Sequence, residues 1–287
     1  MTARVIDGKA IAESMCVGLR QRVEGLKIQG IKPRIVLISV GSDPASAIYL
    51  AKKEKLARFL GIESVTERLP ESTTEQAVVQ LIQKLNADNA MHAILLQSPL
   101  PSSLKFRRLV NEIHPDKDVD GLTVINQGRL FSGDTGVIPC TPRAVRHLLG
   151  TVYPDLTGLH AVILGRSLIV GRPLTLLLLN SNCTVTTLHS HSRDISDICR
   201  TADILVSAVG RPRFLGKEFV KPGATLIDVG VNRQDGSGKV VGDVIFEAVS
   251  EIAGAITPVP NGVGPMTVAY LMQNTLDLAS VGSRVGK

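Results

Sequence analysis

The segment that most constrains the fold is Gly158–Pro173, GLHAVILGRSLIVGRP, in which a short apolar stretch runs into a glycine turn. Ala161–Leu164 is apolar and β-branched, which is typical of a strand buried on both faces. Gly165 forms the turn, and the apolar stretch Leu174–Leu179 predicts a helix beyond it. Together they would direct backbone N–H groups and a positive helix end at an anion. The spacing from Gly165 to Gly171 is not the G-x-G-x-x-G fingerprint, so an ordinary βα turn stays open beside dinucleotide binding.

The residues after the next predicted strand favour a nucleotide that carries a 2′-phosphate. Val185–Leu188 lies about 20 residues beyond the glycine turn, where a Rossmann unit reads the ribose. His189–Ser192 follows and contains no Asp or Glu, the residues that would bind the 2′-hydroxyl of NAD. Arg166 in the turn and the hydroxyl of Ser190 instead favour the 2′-phosphate of NADP.

Strands and helices alternate through both halves of the chain. In the second half, Ile204–Ala208 and Thr225–Val229 are further predicted strands that end near glycines, and this alternation predicts a parallel, doubly wound sheet. The first half has its own predicted elements: the helices Ala10–Leu26, Ala45–Leu60 and Glu75–Asn86, and the strands Arg34–Val40 and Ala93–Gln97. We therefore expect an α/β protein with two α/β domains, the second a Rossmann-like doubly wound parallel sheet, and a boundary near residue 145.

Length and composition exclude several classes of protein. The 287 residues are enough for two domains, and only 3% of them are aromatic, so few rings are available to stack on nucleic acid. The four cysteines form no C-x-x-C pair, which argues against disulfides and a zinc site and favours a reducing compartment, the cytoplasm. No apolar run approaches about 18 residues, so we predict no membrane span and no signal peptide. The net charge of +6 is dispersed, which fits either simple solubility or small polyanionic ligands.

Three features of the first half offer reactive side chains, and each also has a purely structural interpretation. Tyr49 and Lys53 lie one helical turn apart and would present a ring and an amine to one side, unless they face solvent. Gln97 ends a predicted strand at the edge where α/β folds bind ligands, or it caps the following loop. Lys117–Gly121 places two carboxylates beside a lysine, as in either an acidic turn or a pocket for a polar heterocycle.

A segment rich in proline and glycine, Thr257–Thr267, precedes the last predicted helix, Thr267–Ala279. Its composition predicts a rigid loop that allows close approach of another group. Such a loop is a domain hinge, a wall of a ligand site, or both.

These motifs, in this order, resemble those of the bifunctional methylenetetrahydrofolate dehydrogenase/methenyltetrahydrofolate cyclohydrolase family. The resemblance extends from Ile6-Asp7-Gly8-Lys9 to the final helix. The matching motifs are Val40-Gly41 with Pro44-Ala45-Ser46 and Tyr49…Lys53, Lys117–Gly121, Pro139-Cys140-Thr141-Pro142, Gly165-Arg166-Ser167 with Ile169-Val170-Gly171, Ile227-Asp228-Val229-Gly230 and Gly262–Thr267.

The resemblance implies two reactions at one folate site in a cleft between the domains. NADP⁺ oxidises 5,10-methylenetetrahydrofolate to the 5,10-methenyl cation, and water then converts the cation to 10-formyltetrahydrofolate. Residues 1–144, completed by the helix at about 268–287, would form the folate-binding catalytic domain, and residues 145–267 the NADP-binding domain. The implied partners are tetrahydrofolate derivatives, whose polyglutamate tails would suit the dispersed positive charge, and a second copy of the chain in a homodimer.

The resemblance also implies roles for individual residues. Lys53 would be the key cyclohydrolase residue, with Tyr49 packing along the folate, Gln97 supporting Lys53 and Asp120 holding the pterin. The implied substrate contacts are Tyr49, Lys53, Leu96, Gln97, Ser98, Asp120, Pro260, Asn261, Gly262, Val263 and Gly264. The implied NADP contacts are Gly165, Arg166, Ser167, Ile169, Ser190, Val231 and Thr267.

A lysine acts as a general base only when it is neutral, so the pKa of Lys53 must fall far below about 10.4. Partial burial and the neighbouring methenyl cation would both lower that pKa, whereas a close Asp120 carboxylate would raise it. Hydride transfer needs no acid or base from the protein, because the cofactor supplies the chemistry. Loss of Lys53 should therefore harm the hydrolysis more than the oxidation.

The chain departs from the family's usual sequence mainly on the folate side. Ser98 replaces Leu, Leu122–Val124 replaces Phe-His-Pro, and Ala144 and Asn261 each replace a glycine. Asn tolerates the left-handed backbone better than other non-glycine residues, so the loop at Asn261 should keep its shape. Two alternatives remain: a family member that binds nucleotide without catalysis, and a dehydrogenase for another small substrate, as in shikimate-type enzymes.

Overall fold

The computed structural model describes residues 2–233 and 239–285, without the side chains of residues 44, 45 and 282–285. Its contacts divide the chain into two compact units. The three-stranded unit comprises Ser14–Cys140 and Val268–Lys287, and the six-stranded unit comprises Met1–Glu13 and Thr141–Thr267. The expected limits of the functional domains, 1–144 with 268–287 and 145–267, stay a prediction, because contact density does not assign a function to either unit.

The secondary structure alternates along most of the chain. In order, the elements are β1 (Arg4–Val5), α1 (Gly8–Ile28), β2 (Arg34–Val40), α2 (Pro44–Leu60), β3 (Glu63–Leu69), α3 (Glu75–Ala87), β4 (Ala93–Leu96), α4 (Phe106–Val110), α5 (Val124–Ser132), α6 (Cys140–Gly150), β5 (His160–Leu164), α7 (Gly171–Leu179), β6 (Thr184–Leu188), α8 (Ile195–Cys199), β7 (Ile204–Ser207), a 3₁₀ turn (Lys217–Phe219), β8 (Thr225–Asp228), β9 (Asn232–Arg233), β10 (Val240–Val241), α9 (Phe246–Val249), β11 (Ala255–Ile256) and α10 (Val263–Val285).

The three-stranded unit is built on a parallel sheet in the order β3-β2-β4. The central strand β2 is apolar from Ile35 to Val40, apart from Ser39, and these residues are buried. Since successive side chains of a strand point to opposite faces, Val36 and Ile38 share one face and pack in a core with Ile82 of α3. This sheet brings the carboxyl ends of β2 and β4 to the same edge.

The six-stranded unit contains a parallel sheet in the order β1-β11-β8-β7-β5-β6. From β5 the chain crosses to β6 on one side and then returns to β7 on the other side of β5. The strand order therefore reverses between β5 and β7, and open α/β sheets bind ligands at the carboxyl end of such a switch point. The predicted α/β class and doubly wound parallel sheet are confirmed.

Several elements differ from the sequence-based prediction. The last helix begins at Val263 rather than Thr267, so the residues of the Gly-Val-Gly-Pro motif from Val263 onward form its first turn. β3 was not predicted, because its charged residues interrupt the apolar pattern of an edge strand whose side chains are half exposed. α4, α5 and α6 were also not predicted, since the first two are short and the third begins within a proline-rich motif. In the described part of the chain, no helix combines the length and apolar character of a membrane span.

Candidate active site

Helix α2 carries three polar side chains of the candidate site on one face. The helix starts where Asp43 Oδ2 accepts a hydrogen bond from Ser46 N at 2.7 Å, and Gly61 ends it with a φ of 81°. Ser46, Tyr49 and Lys53 follow at i, i+3 and i+7, so they lie along one side of the helix. Tyr49 is half-buried, and the ammonium group of Lys52 lies 5.7 Å from the centroid of its ring.

Lys53 meets Gln97, which lies just beyond the carboxyl end of β4. Gln97 N donates to Ile38 O at 2.8 Å, so the sheet pairing fixes the position of this residue. Lys53 Nζ donates to Gln97 Oε1 at 2.8 Å, while Gln97 Nε2 donates to Ser98 O at 2.6 Å. The loop-capping interpretation of Gln97 is therefore confirmed, and the other end of its amide holds Lys53. A ligand contact at this strand end stays a prediction.

The electrostatic surroundings favour the neutral forms of Lys53 and Asp120. Burial lowers the pKa of Lys53, against the charges of Asp120 and Cys140, which raise it. Burial also raises the pKa of Asp120, against the charge of Lys53 and hydrogen bonds from Cys140. Asp120 thus opposes the activation of Lys53, as expected, while its own burial favours its neutral form.

The segment Lys117–Gly121 serves three purposes, of which only one belongs to the candidate site. Lys117 Nζ donates to the carbonyl oxygens of Leu85, Asn86 and Asp88 at 3.0, 2.8 and 2.7 Å, so it caps the end of α3. Asp118 is buried, and its Oδ2 accepts from Thr123 N at 2.8 Å at the start of α5. Asp120 alone faces Lys53. The structural interpretation of this segment therefore holds for Lys117 and Asp118, whereas a pocket for a polar heterocycle at Asp120 stays a prediction.

Two further residues of the three-stranded unit lie in or behind this group. Asn274 of α10 is buried, and its Nδ2 donates to Val119 O at 2.9 Å and to Cys140 Sγ at 3.4 Å. Asn274 therefore supports Val119, which precedes Asp120 in the chain, and Cys140, which hydrogen-bonds to Asp120. A single Asn in an apolar helix gives no sequence signal for such a role. Ser46 Oγ is the one buried side-chain N or O atom in the described structure without a hydrogen-bond partner. An unsatisfied buried hydroxyl is costly, and its position beside Tyr49 suits a substrate or water contact.

The remaining residues predicted to bind folate lie in two places. In the three-stranded unit, Leu96 is buried and Ser98 is exposed, and the Ser98–Pro99 peptide bond is cis. In the six-stranded unit, Pro260 and Asn261 are exposed, Gly262 and Val263 are buried, and Gly264 is exposed in the first turn of α10. The prediction that these residues contact folate stays a prediction.

The loop around Asn261 has the close approach that its composition predicted. Asn261 has a φ of 83°, which confirms that Asn keeps the left-handed conformation at this position. Its carbonyl oxygen accepts a hydrogen bond from Lys9 N at 3.0 Å. A Cβ atom on Gly8 would collide with Gly262 O, so only glycine allows the first turn of α1 to approach this loop.

The glycines of the turn after β5 allow a close packing of backbone that side chains would prevent. Gly165 has a φ of 123°, and a Cβ atom there would collide with Ala208 O of the loop after β7. A Cβ atom on Gly171, the first residue of α7, would collide with Gly165 O. Dinucleotide-binding βα turns use glycines for a tight turn and for close packing of the following helix, so the residues present fit a dinucleotide.

One side chain of this turn bonds the backbone of the turn, and another is exposed to solvent. Ser167 Oγ accepts hydrogen bonds from Val170 N at 3.1 Å and Gly171 N at 3.4 Å. Two of the backbone N–H groups expected to face an anion are therefore bonded within the turn itself. Arg166 is exposed and Ile169 is half-buried. The exposed guanidinium group is therefore available to an anion at the helix start.

The other predicted cofactor contacts lie at or near the same sheet edge, with one exception. Ser190 is exposed just beyond β6, and Val231, 49% exposed, follows β8. Thr267 lies on α10, where its hydroxyl is bonded to Val263 O at 3.2 Å and Thr141 Oγ1 at 3.3 Å. Sequence and strand order therefore bring Gly165, Ser190 and Val231 to one edge, whereas Thr267 is placed by a helix.

Comparison with known proteins gives family matches in both parts of the chain. Residues 6–120 match the model described as the tetrahydrofolate dehydrogenase/cyclohydrolase catalytic domain, and residues 139–282 match the NAD(P)-binding domain of the same name. The "Bifunctional protein FolD" of Agrobacterium fabrum is 48% identical over 284 residues, which cover 96% of this chain and 95% of the relative.

Two solved structures are also similar. The bifunctional FolD methylenetetrahydrofolate dehydrogenase/cyclohydrolase of Campylobacter jejuni is 42% identical, with a TM-score of 0.95, over 97% of this chain and 99% of its own. The Trypanosoma brucei FolD, complexed with NADP cofactor and an inhibitor, is 37% identical, with a TM-score of 0.95, over 99% of both chains. On these matches, the chain belongs to the tetrahydrofolate dehydrogenase/cyclohydrolase family.

Proposed function

We propose that this chain oxidises 5,10-methylenetetrahydrofolate with NADP⁺ and then hydrolyses the 5,10-methenyl product to 10-formyltetrahydrofolate. The observation that carries the proposal is the group formed by Lys53, Gln97 and Asp120, in a chain whose family is named for both activities. Lys53 is bonded to an uncharged amide and has a lowered pKa, which is what a general base near neutral pH requires.

In the hydrolytic step, neutral Lys53 takes a proton from water as the oxygen attacks the methenyl carbon. The Gln97 carbonyl accepts one N–H of the amine at 2.8 Å, and this bond fixes the direction of the nitrogen lone pair. Burial disfavours the protonated lysine, and the positive charge of the methenyl group disfavours it further. As the bond from the former methenyl carbon to N5 breaks, Lys53 gives this proton to N5 and the hydroxyl proton passes to solvent, so the formyl group forms and the amine is returned neutral.

In the oxidative step, the protein binds and orients its two reactants. NADP⁺, when bound, accepts the hydride, which is chemistry that the cofactor itself supplies. The tight turn at Gly165 and the start of α7 would bind the pyrophosphate, and Tyr49 supplies a ring against which a pterin packs. Asp120, whose pKa burial raises, is able to donate or accept a hydrogen bond to the pterin edge.

The preference for NADP over NAD is supported by the residues at the end of β6. Ser190 is exposed there, and Arg166 is exposed in the neighbouring turn, so both are available to a 2′-phosphate. None of His189–Ser192 is an acid that would repel this group.

We further propose that folate polyglutamates are the preferred substrates, that the chain forms a homodimer and that it works in the cytoplasm. The net charge of +6 supports the first of these, and four buried cysteine thiols support a reducing compartment. Equal KM values for monoglutamate and pentaglutamate substrates would exclude the first, and a monomer in light scattering the second. Signal from the tagged protein outside the cytoplasm, in fractionated cells, would exclude the third.

A spectrophotometric assay with methylenetetrahydrofolate tests the main proposal when it is run in parallel with NADP⁺ and NAD⁺. We expect NADPH to form without lasting methenyl absorbance, because the hydrolysis consumes the methenyl product. Methenyl accumulation would show a dehydrogenase without the second activity. Absence of turnover with either cofactor would contradict the proposal.

A further inference from the structure

Asp243 is the second residue after β10. Its carboxylate is fully buried and accepts hydrogen bonds from five donors. Its Oδ2 accepts from Ser207 Oγ at 3.1 Å, Val209 N at 2.8 Å and Gly210 N at 3.2 Å. Its Oδ1 accepts from Arg211 N and from Asn232 Nδ2, both at 2.9 Å. Successive backbone N–H groups of the loop after β7 therefore wrap around one carboxylate.

A second buried carboxylate holds Asp243 itself in place. Asp228, at the end of β8, accepts from Asp243 N at 3.1 Å and from Val244 N at 3.0 Å. A Cβ atom on Gly230 would collide with the Asp243 carboxylate, and one on Gly242 would collide with that of Asp228. The pair is thus packed so closely that only glycine fits beside it, which makes this a specific arrangement rather than a chance contact.

The loop that Asp243 holds lies at the switch point of the sheet. Ala208 N donates to Leu164 O at 2.8 Å, and a Cβ atom on Gly165 would collide with Ala208 O. The loop after β7 therefore packs directly against the Gly165 turn. Asp243 is linked to the turn through this loop.

The position of the loop also indicates which half of a dinucleotide it would meet. The pyrophosphate of such a ligand lies at the first βα turn, and its adenosine ribose lies at the end of the following strand. Here those places are Gly165 and the residues after β6, on one side of β5. The nicotinamide half must then extend across β7 and β8, over the loops that Asp243 joins.

We infer that Asp243 is a positioning residue for the nicotinamide half of the cofactor, through its hold on the loops after β7 and β8. The inference rests on the proposed NADP-dependent function. The carboxylate acts by fixing the loop from Ser207 to Arg211 and the side chain of Asn232.

Asp243→Asn tests the inference, because it keeps the shape and replaces one acceptor oxygen by an amino group. Whichever oxygen is lost, the new N–H groups face at least two donors, so the loop must move. We expect the Kd of NADP⁺ to rise about tenfold, the size usual for a lost hydrogen bond to a charged group. The Kd of adenosine 2′,5′-bisphosphate, which lacks the nicotinamide half, should change less than about twofold on the same reasoning.

Asp203→Asn is the matched control at the opposite edge of the same sheet. Its carboxylate also accepts two hydrogen bonds, from His160 N at 3.0 Å and Lys221 Nζ at 2.7 Å, but it precedes β7. This variant should bind both ligands as the wild type does. If Asp243→Asn does not fold, Ser207→Ala removes one of the five donors and should weaken NADP⁺ about threefold with the same selectivity.

The inference is overturned if Asp243→Asn weakens the binding of NADP⁺ and of adenosine 2′,5′-bisphosphate equally, because the carboxylate would then have a merely structural role. The same holds for Ser207→Ala where that variant takes its place. Unchanged NADP⁺ binding would overturn it as well. In either case a wild type that binds and reduces NADP⁺ leaves the proposed function standing. A wild type that binds neither ligand would instead remove the cofactor assignment, and the inference with it.

Discussion

Lys53 is the residue on which the proposed hydrolysis depends, and its surroundings explain how a lysine is kept basic rather than charged. Its nearest hydrogen-bond partner is the neutral Gln97 amide rather than a carboxylate. The nearby carboxylate, Asp120, is itself shifted toward its neutral form by burial. Burial therefore lowers the pKa of Lys53, and the neighbouring charges raise it again only in part.

Replacing Gln97 with Glu should shift the hydrolysis to higher pH. A carboxylate 2.8 Å from Lys53 Nζ would stabilise the ammonium form and raise the pKa of Lys53. Because only neutral Lys53 accepts a proton, activity at neutral pH should fall about tenfold for each unit by which the pKa rises. The measurement is the rate of methenyltetrahydrofolate hydrolysis against pH, after subtraction of the uncatalysed rate.

Gln97→Leu is the control for this experiment, because it removes the hydrogen bond without adding a charge. Its rate should fall while the midpoint of its pH profile stays below that of Gln97→Glu. Identical profiles for the wild type and Gln97→Glu would show that the protonation of Lys53 does not limit the reaction.

The residues of the candidate site were predictable from sequence to very different degrees. Tyr49 and Lys53 lie on one helix, so their spacing alone places them on the same side. Gln97 was predictable as a strand end, but its bond to Lys53 depends on how β4 lies beside β2. Asn274 supports Val119 across 155 positions, and no local pattern connects residues so far apart.

At the scale of elements, the carboxylate pair of Asp228 and Asp243 joins β8, the residues after β10 and the loop after β7. Burial raises the pKa of Asp228 to about 7, against hydrogen bonds from Val244 and Asp243 that lower it. The charge of Asp243 raises it further. At neutral pH, therefore, Asp228 is partly protonated in the folded protein.

Asp228 should make the folded state less stable as the pH rises. Its folded pKa of about 7 exceeds the ordinary value of 3.8, so the unfolded chain loses this proton first. The contribution is fully present below about pH 4 and is lost as the pH rises through about 7. Between pH 5 and 7.5 the wild type should lose about 2 to 3 kcal/mol more than Asp228→Asn, measured by urea unfolding.

Asp203→Asn is the control here, because hydrogen bonds from Lys221 and His160 lower the pKa of Asp203. A lowered pKa makes stability depend on pH only in the acid range, so this variant should follow the wild type between pH 5 and 7.5. Parallel curves for the wild type and Asp228→Asn would contradict the raised pKa.

At the scale of the whole molecule, the sequence was sufficient for the α/β class and for the doubly wound sheet. Buried strands such as β2 and β5 are mostly apolar, and glycine turns mark where they end. The charged edge strand β3 lacks this signal, and the two-residue strands β1 and β11 are too short to show a period. Their pairing comes from tertiary contacts, which composition does not record.

The most direct test of the account is the coupled assay repeated with Lys53→Met, beside Lys55→Met as a control on an exposed position of α2. We predict that Lys53→Met still reduces NADP⁺, while hydrolysis falls by about 10² to 10⁴, the usual contribution of a general base. Methenyl absorbance should then accumulate in Lys53→Met and stay low in Lys55→Met. Wild-type hydrolysis of methenyltetrahydrofolate by Lys53→Met would contradict the role of Lys53 and, with it, the mechanism proposed for this site.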